Sequence, residues 1–138
     1  MREFPFAMAR HGATLRGQID LVIKGPDGRL KIVDYKTSRI EASEVEKKAA
    51  DYELQLRIYA LALRDLFGRA PDAACLHFLH PDVVREVDVT SAALEETEKS
   101  IASFFEAHRT GSFPQRPGDH CHSCGYLRPF CPGVAAGR

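Results

Sequence analysis

The sequence lacks several things that would have narrowed its role at once. No run of about 18 apolar residues occurs, so no membrane-spanning helix is expected. No charged-then-apolar signal opens the chain. Lys and Arg number 19, and Asp and Glu number 19, so formal net charge is zero. Charge balance therefore gives no global sign of nucleic-acid binding, although a local basic groove can sit on a neutral protein. Internal repeats and low-complexity linkers are absent too. Cysteine is scarce and unevenly placed: Cys75 stands apart, while Cys121, Cys124 and Cys131 fall within eleven residues. Without a secretion signal this reads as a reducing, cytoplasmic setting, where clustered thiols suggest metal before disulfides.

What is present suits one soluble domain. The chain has 138 residues, 44% hydrophobic and 28% charged, enough for a real core. Residues 3–10, 15–24 and 29–36 read as strands, with a Gly-Pro-Asp-Gly turn between the last two. Ser43-x-x-Glu46 fits a capping box and predicts a long helix to about Phe67, stopped by Gly68. Residues 73–80 and 83–89 read as strands around a Pro81-Asp82 turn, the latter a half-exposed edge. A second helix is expected over 91–108, with Leu94, Ile101, Phe104, Phe105 and His108 on one stripe. The order βββαββα implies an α/β layer fold with a mixed sheet flanked by helices. Residues 1–112 form the core of this reading, and 113–138 an irregular cysteine-rich tail that packs on it.

The chemistry gathers in GQIDLVIKGPDGRLKIVDYKTS, residues 17–38. Strand residues two apart share a face, so Asp34 and Lys36 point the same way. Pairing the two strands as an antiparallel hairpin puts Lys24 opposite Leu30. The same register brings Asp20 opposite Asp34, with Cβ atoms about 4.5–5.5 Å apart. Ile19, Leu21, Ile23, Val33 and Tyr35 would then form the apolar side. Two facing carboxylates repel, the more so among Val22 and Ile32. Lys36 supplies one compensating charge, and a divalent cation is the simplest further answer, because hard cations take carboxylate oxygens. Such an arrangement, with an ammonium beside it, suits phosphoester cleavage.

Three ordered blocks carry a resemblance: Gly17-Gln-Ile-Asp20, Val33-Asp34-Tyr35-Lys36-Thr37 and Gln55-Leu-Arg-Ile-Tyr59. They resemble RecB-type nuclease domains of the PD-(D/E)XK superfamily, found in bacterial helicase–nucleases of the RecBCD, AddAB and AdnAB kind. The resemblance runs from about Glu3 to Cys131. It implies a restriction-endonuclease-like core and Mg²⁺- or Mn²⁺-dependent hydrolysis of DNA, exonucleolytic or endonucleolytic and without sequence preference, in double-strand-break repair. It implies Asp20 and Asp34 as metal ligands, the Tyr35 carbonyl as a third oxygen, Lys36 as the catalytic lysine, and Gln55 and Tyr59 as support for the site and the DNA path. The partners it implies are DNA, a helicase motor in the same longer chain, and a second helicase–nuclease protein; no membrane is involved.

The same resemblance places a metal-ligating histidine on a helix ahead of the first strand. No residue here matches it, and His11 in the first turn is not a substitute. The chain is therefore expected to be the carboxy-terminal part of a longer protein, and its own activity turns on that helix.

The tail spacing, C-x2-C-x6-C, points to metal by itself. His120 and His122 flank the first cysteine and could complete a zinc site. The resemblance, including the Phe-Pro-x-Arg-Pro run at 113–117, implies instead a [4Fe–4S] cluster in the full-length protein, on Cys121, Cys124, Cys131 and a fourth cysteine upstream. Reduced thiols or an adventitious zinc are then expected in this chain alone. Two rival readings stand beside the nuclease: a catalytically silent DNA-binding or structural module of the same fold, and a cysteine-rich zinc interaction module. Cys75 reads as a core thiol. His77 and His80, three apart in a strand, would face opposite sides and share no ion. Glu3 and the Glu46-Lys47-Lys48 run read as surface charge.

Overall fold

The computed structural model describes residues 1–115, 117, 118, 121, 122, 124–126 and 131. It divides into two compact units, Met1–Ala102 and Ser103–Arg138.

The first unit is built on a five-stranded sheet in the order β1-β2-β3-β4-β5. The strands are β1 (Arg2–Arg10), β2 (Ala13–Lys24), β3 (Leu30–Lys36), β4 (Ala73–Phe78) and β5 (Val83–Val87). Pairing is antiparallel throughout except β3–β4, which is parallel. A parallel pair needs a crossover. Here residues 37–72 supply it: a 3-10 turn (Ala42–Glu44), α1 (Val45–Ala50) and α2 (Glu53–Phe67). The last helix is α3 (Ser91–Thr110). The sheet is mixed and flanked by helices, as the sequence implied.

The β2–β3 ladder pairs Lys24 with Leu30 and continues to Leu21 and Val33, the expected register. The expected apolar side is covered only in part: Ile19 and Val33 are buried, but Ile23 and Tyr35 are 44% and 40% exposed, whereas Val22, Leu30, Ile32 and Asp34 are buried. The reason is α2, which crosses the sheet on the Ile32 and Asp34 side. Phe6 meets Tyr59 edge-on at 5.6 Å, and Phe4 stacks on Phe67 at 6.3 Å. Ile19 and Val22, three apart, are both fully buried, so strict alternation breaks between them. Glu3, which the β1–β2 register sets opposite Asp20, takes a left-handed φ of 48°.

The crossover helix is broken where one long helix was expected. The capping box is formed by Glu41 and Glu44, two residues ahead of the Ser43/Glu46 pair. Asp51 and Tyr52 separate α1 from α2. Gly68 ends α2 at φ 72°, a left-handed cap that glycine adopts without a Cβ penalty. Leu56, Tyr59, Ala60, Leu61, Ala62 and Leu63 are buried along α2, while Leu66 is exposed.

Arg10 ties β1 to the helices. Its guanidinium meets Asp65 at 2.7 Å and Glu98 at 3.1 Å, and Arg64 reaches the same Glu98 at 2.8 Å. On α3, Leu94, Thr97 and Ile101 are buried, but Phe104 is 57% exposed, so the expected stripe is covered only in its first half. Cys75 is the core thiol expected: it is buried, points at the Ile32 carbonyl, and burial raises its pKa. His77 lies on β4 but His80 falls in the following turn, where His77 instead pairs with Asp82 at 2.8 Å.

Candidate active site

β3 carries Leu30, Ile32, Asp34 and Lys36 on the side that α2 covers, so a strand otherwise built for the core delivers a carboxylate and an ammonium beneath a helix. Asp34 is 2% exposed. Its Oδ2 lies 2.7 Å from Lys36 Nζ but has no aligned hydrogen-bond partner. Burial drives the Asp34 pKa up; Lys36 pulls it down and the nearby Asp20 charge pushes it up again, with a net rise.

Asp20 lies one residue before Leu21, where the β2–β3 ladder ends. Its Oδ2 accepts the Tyr35 N–H at 2.8 Å, a carboxylate standing where a ladder carbonyl would otherwise serve. The two acids thus lie within electrostatic reach of each other at the mouth of the hairpin. An open cavity of about 600 Å³, lined by Arg2, Glu3, Leu21 and Tyr35, adjoins Asp20.

α2 completes the cluster. Lys36 Nζ donates to Gln55 Oε1 at 3.0 Å, and Gln55 Nε2 donates to the Tyr59 hydroxyl at 2.7 Å. Gln55 and Tyr59 are one helical turn apart, which lets one amide bridge lysine and phenol. Burial raises the Tyr59 pKa, Gln55 lowers it, and Asp34 and Asp20 raise it further. The result is a continuous chain, Asp34–Lys36–Gln55–Tyr59, with Asp20 beside its acidic end. Lys36 has another neighbour that sequence reasoning passed over: its Nζ sits 3.7 Å from the centre of the Tyr52 ring. The available signal was Tyr52 three residues before Gln55, a spacing that shares a helix face only if the backbone is helical there.

The donors suit a hard divalent cation. They are oxygens, two are carboxylates, and the Asp20 charge raises the cost of ionising Asp34, which a cation would relieve. Among the described residues no three or more His, Cys, Asp or Glu side chains converge as a metal group.

The tail is described in part. The backbone turns at Cys121, whose N–H reaches the Gly118 carbonyl at 2.9 Å, and Cys124 N–H reaches the Cys121 carbonyl at 3.2 Å. Cys131 N–H donates to the Tyr126 carbonyl at 2.9 Å. The three thiols are partly buried and free of disulfides. His120 lies outside the described residues.

A mixed sheet with a crossover helix over an acidic hairpin defines an α/β domain in which a buried carboxylate meets an ammonium beside a second acid. The family model for the PD-(D/E)XK nuclease superfamily matches residues 1–132, and the chain belongs to that superfamily. Over 70 residues it is 31% identical to a protein of Listeria monocytogenes serotype 4b (strain F2365), one of the subunits of an ATP-dependent helicase/nuclease. That match covers 46% of this chain and 6% of the relative's length. Among solved structures, a candidate exonuclease from Eubacterium rectale superposes with a TM-score of 0.59 at 18% identity, covering 95% of this chain and 52% of the other. The protein SSO0001 gives 0.60 at 20% identity, with 96% and 60% covered. Both likenesses concern the fold. The chain thus spans little more than half of either structure and a small part of the Listeria relative. Among the described residues, no helix is long and apolar enough to cross a membrane.

Proposed function

We propose that this domain hydrolyses DNA phosphodiester bonds with Mg²⁺ or Mn²⁺, as the nuclease module of a helicase–nuclease that processes DNA ends. The observation that carries this reading is the buried Asp34 carboxylate, paired with Lys36 at 2.7 Å and raised in pKa by burial and by the nearby Asp20 charge. Asp20, Asp34 and the Tyr35 carbonyl would hold the ion. When bound, it supplies an activated water and positive charge against the phosphate.

The chain's own groups do the rest. Lys36 presents an ammonium whose position is fixed by Asp34 and Gln55, so it meets charge growing on a phosphoryl oxygen without reorganising. Gln55 fixes the lysine and the Tyr59 hydroxyl at once. Hydrolysis adds water across the P–O bond; the leaving oxygen takes a proton, and the new phosphate keeps the hydroxyl oxygen. No recognition of bases is called for, and contacts to the backbone suffice. The likeness to a helicase/nuclease protein of Listeria supports the helicase–nuclease setting. For the tail, the spacing of Cys121, Cys124 and Cys131 supports a metal site, and the resemblance to helicase–nucleases makes it a [4Fe–4S] cluster in the longer protein; iron with sulfide upholds that, and zinc alone favours a zinc module.

The test is degradation of linear DNA with Mn²⁺ by the wild type and Asp34→Asn. Losing even a partner of a metal ligand costs about 10–100-fold in metal affinity or activity, so a variant that loses a ligand itself should fall by at least that much. Equal rates would refute the assignment. A silent module of the same fold is favoured by one observation: among the described residues no three metal-ligating side chains converge; a wild type that binds DNA but never cuts it would support that reading.

A further inference from the structure

We propose that Tyr52 is a positioning residue for Lys36, its ring face setting where the ammonium points. The kinetic part of this proposal rests on the nuclease reading above; the contact itself does not.

An ammonium has three N–H donors. Asp34 lies 2.7 Å from Lys36 Nζ and Gln55 Oε1 lies 3.0 Å away. The ring of Tyr52, centred 3.7 Å from the nitrogen, closes another side. An aromatic face attracts a cation through its quadrupole yet carries no net charge. It therefore steadies the ammonium without neutralising it, as a further carboxylate would. A lysine held this way keeps its full positive charge in a fixed place.

The backbone is arranged to deliver the ring. α1 stops at Ala50 and α2 starts at Glu53. Tyr52 takes φ −109° and ψ −5°, a right-handed turn stretched away from ideal helix values. It is nevertheless bonded on both sides: its N–H donates to the Ala49 carbonyl at 2.9 Å and its own carbonyl accepts from Leu56 at 3.2 Å. The break is thus a fixed joint, and it sets the ring above Lys36. Lys48, the other cation near the ring, is 5.6 Å from its centre and pairs with Asp51 at 2.9 Å. Lys36 is the closer cation.

Two variants and two readouts test this in the full chain. Tyr52→Phe keeps the ring face and removes only the hydroxyl; Tyr52→Leu removes the face. A ring over the ammonium shields the adjacent methylene protons of Lys36, so their NMR resonance should lie upfield in the wild type and in Tyr52→Phe, and return downfield in Tyr52→Leu. In Mn²⁺-dependent cleavage, Tyr52→Leu should lower kcat about fivefold with KM for DNA unchanged, and Tyr52→Phe should restore it. A Lys36 resonance indifferent to Tyr52→Leu overturns the proposal. So does a rise in KM at constant kcat, which marks a DNA contact instead, or a Phe variant as impaired as the Leu variant. If the wild type cuts no DNA, the nuclease reading fails, while the resonance alone still upholds or overturns the contact.

Discussion

Replacing Lys36 with Met exposes the electrostatics of the site most sharply. The side chain stays unbranched, ends one atom shorter and loses its charge. Asp34, 2% exposed, then has only influences that raise its pKa: burial first, then the Asp20 charge. Removing one partner of a buried ion pair costs about 3–5 kcal/mol, because the other charge is left uncompensated. With a urea dependence of about 2 kcal/mol per molar, the unfolding midpoint at pH 8 should fall by about 1.5–2.5 M. The pH dependence has a definite sign. A carboxyl whose folded pKa lies above its unfolded value, near 3.9, binds more protons folded than unfolded between the two. Stability therefore falls as pH rises through that window and levels off above the folded pKa. In the variant the window reaches further up, so the deficit relative to wild type should be larger at pH 8 than at pH 5. Adding Asp34→Asn should return most of the loss, since no charge remains to be compensated. A deficit equal at both pH values, unrelieved by the second substitution, would refute the reasoning.

Other perturbations probe how the site is held. A Cβ at Gly17 would lie 2.6 Å from Phe6 Cε1 and 2.7 Å from Cζ, and that ring leans on Tyr59. Gly17→Ala should destabilise the protein by about 1–3 kcal/mol in urea unfolding and slow DNA cleavage without altering a site residue. Arg10→Met keeps the stem but breaks contacts to Asp65 and Glu98, both partly exposed. It should cost about 1 kcal/mol, a loss that shrinks at high salt, with Mn²⁺ binding unchanged.

The parts legible in the sequence are those governed by local periodicity. The hairpin register followed from a tight turn between Lys24 and Leu30, and the pairing of Asp34 with Lys36 from the two-residue repeat of a strand. Gln55 and Tyr59 were named by the family resemblance, and their spacing of one helical turn accounts for the hydrogen bond between them. What escaped depends on tertiary choices. Both faces of β2 and β3 carry apolar residues, so only the path of α2 decides that Val22 and Ile32 are covered and Ile23 and Tyr35 are not. The Asp51–Tyr52 break lies within a stretch of good helix formers and has no local breaker to announce it. Its consequence, an aromatic ring over Lys36, was hidden with it. Arg10 gave no signal either, because its partners Asp65 and Glu98 are 55 and 88 residues away.

The central claim is that the hairpin carboxylates of Asp20 and Asp34 hold one divalent cation together. Calorimetric titration of Mn²⁺ into the wild type, Asp20→Asn and Asp34→Asn tests it directly, independently of any DNA substrate. The account predicts one ion bound by the wild type and none by either variant. Mn²⁺ binding of unchanged strength and stoichiometry in both variants would contradict it.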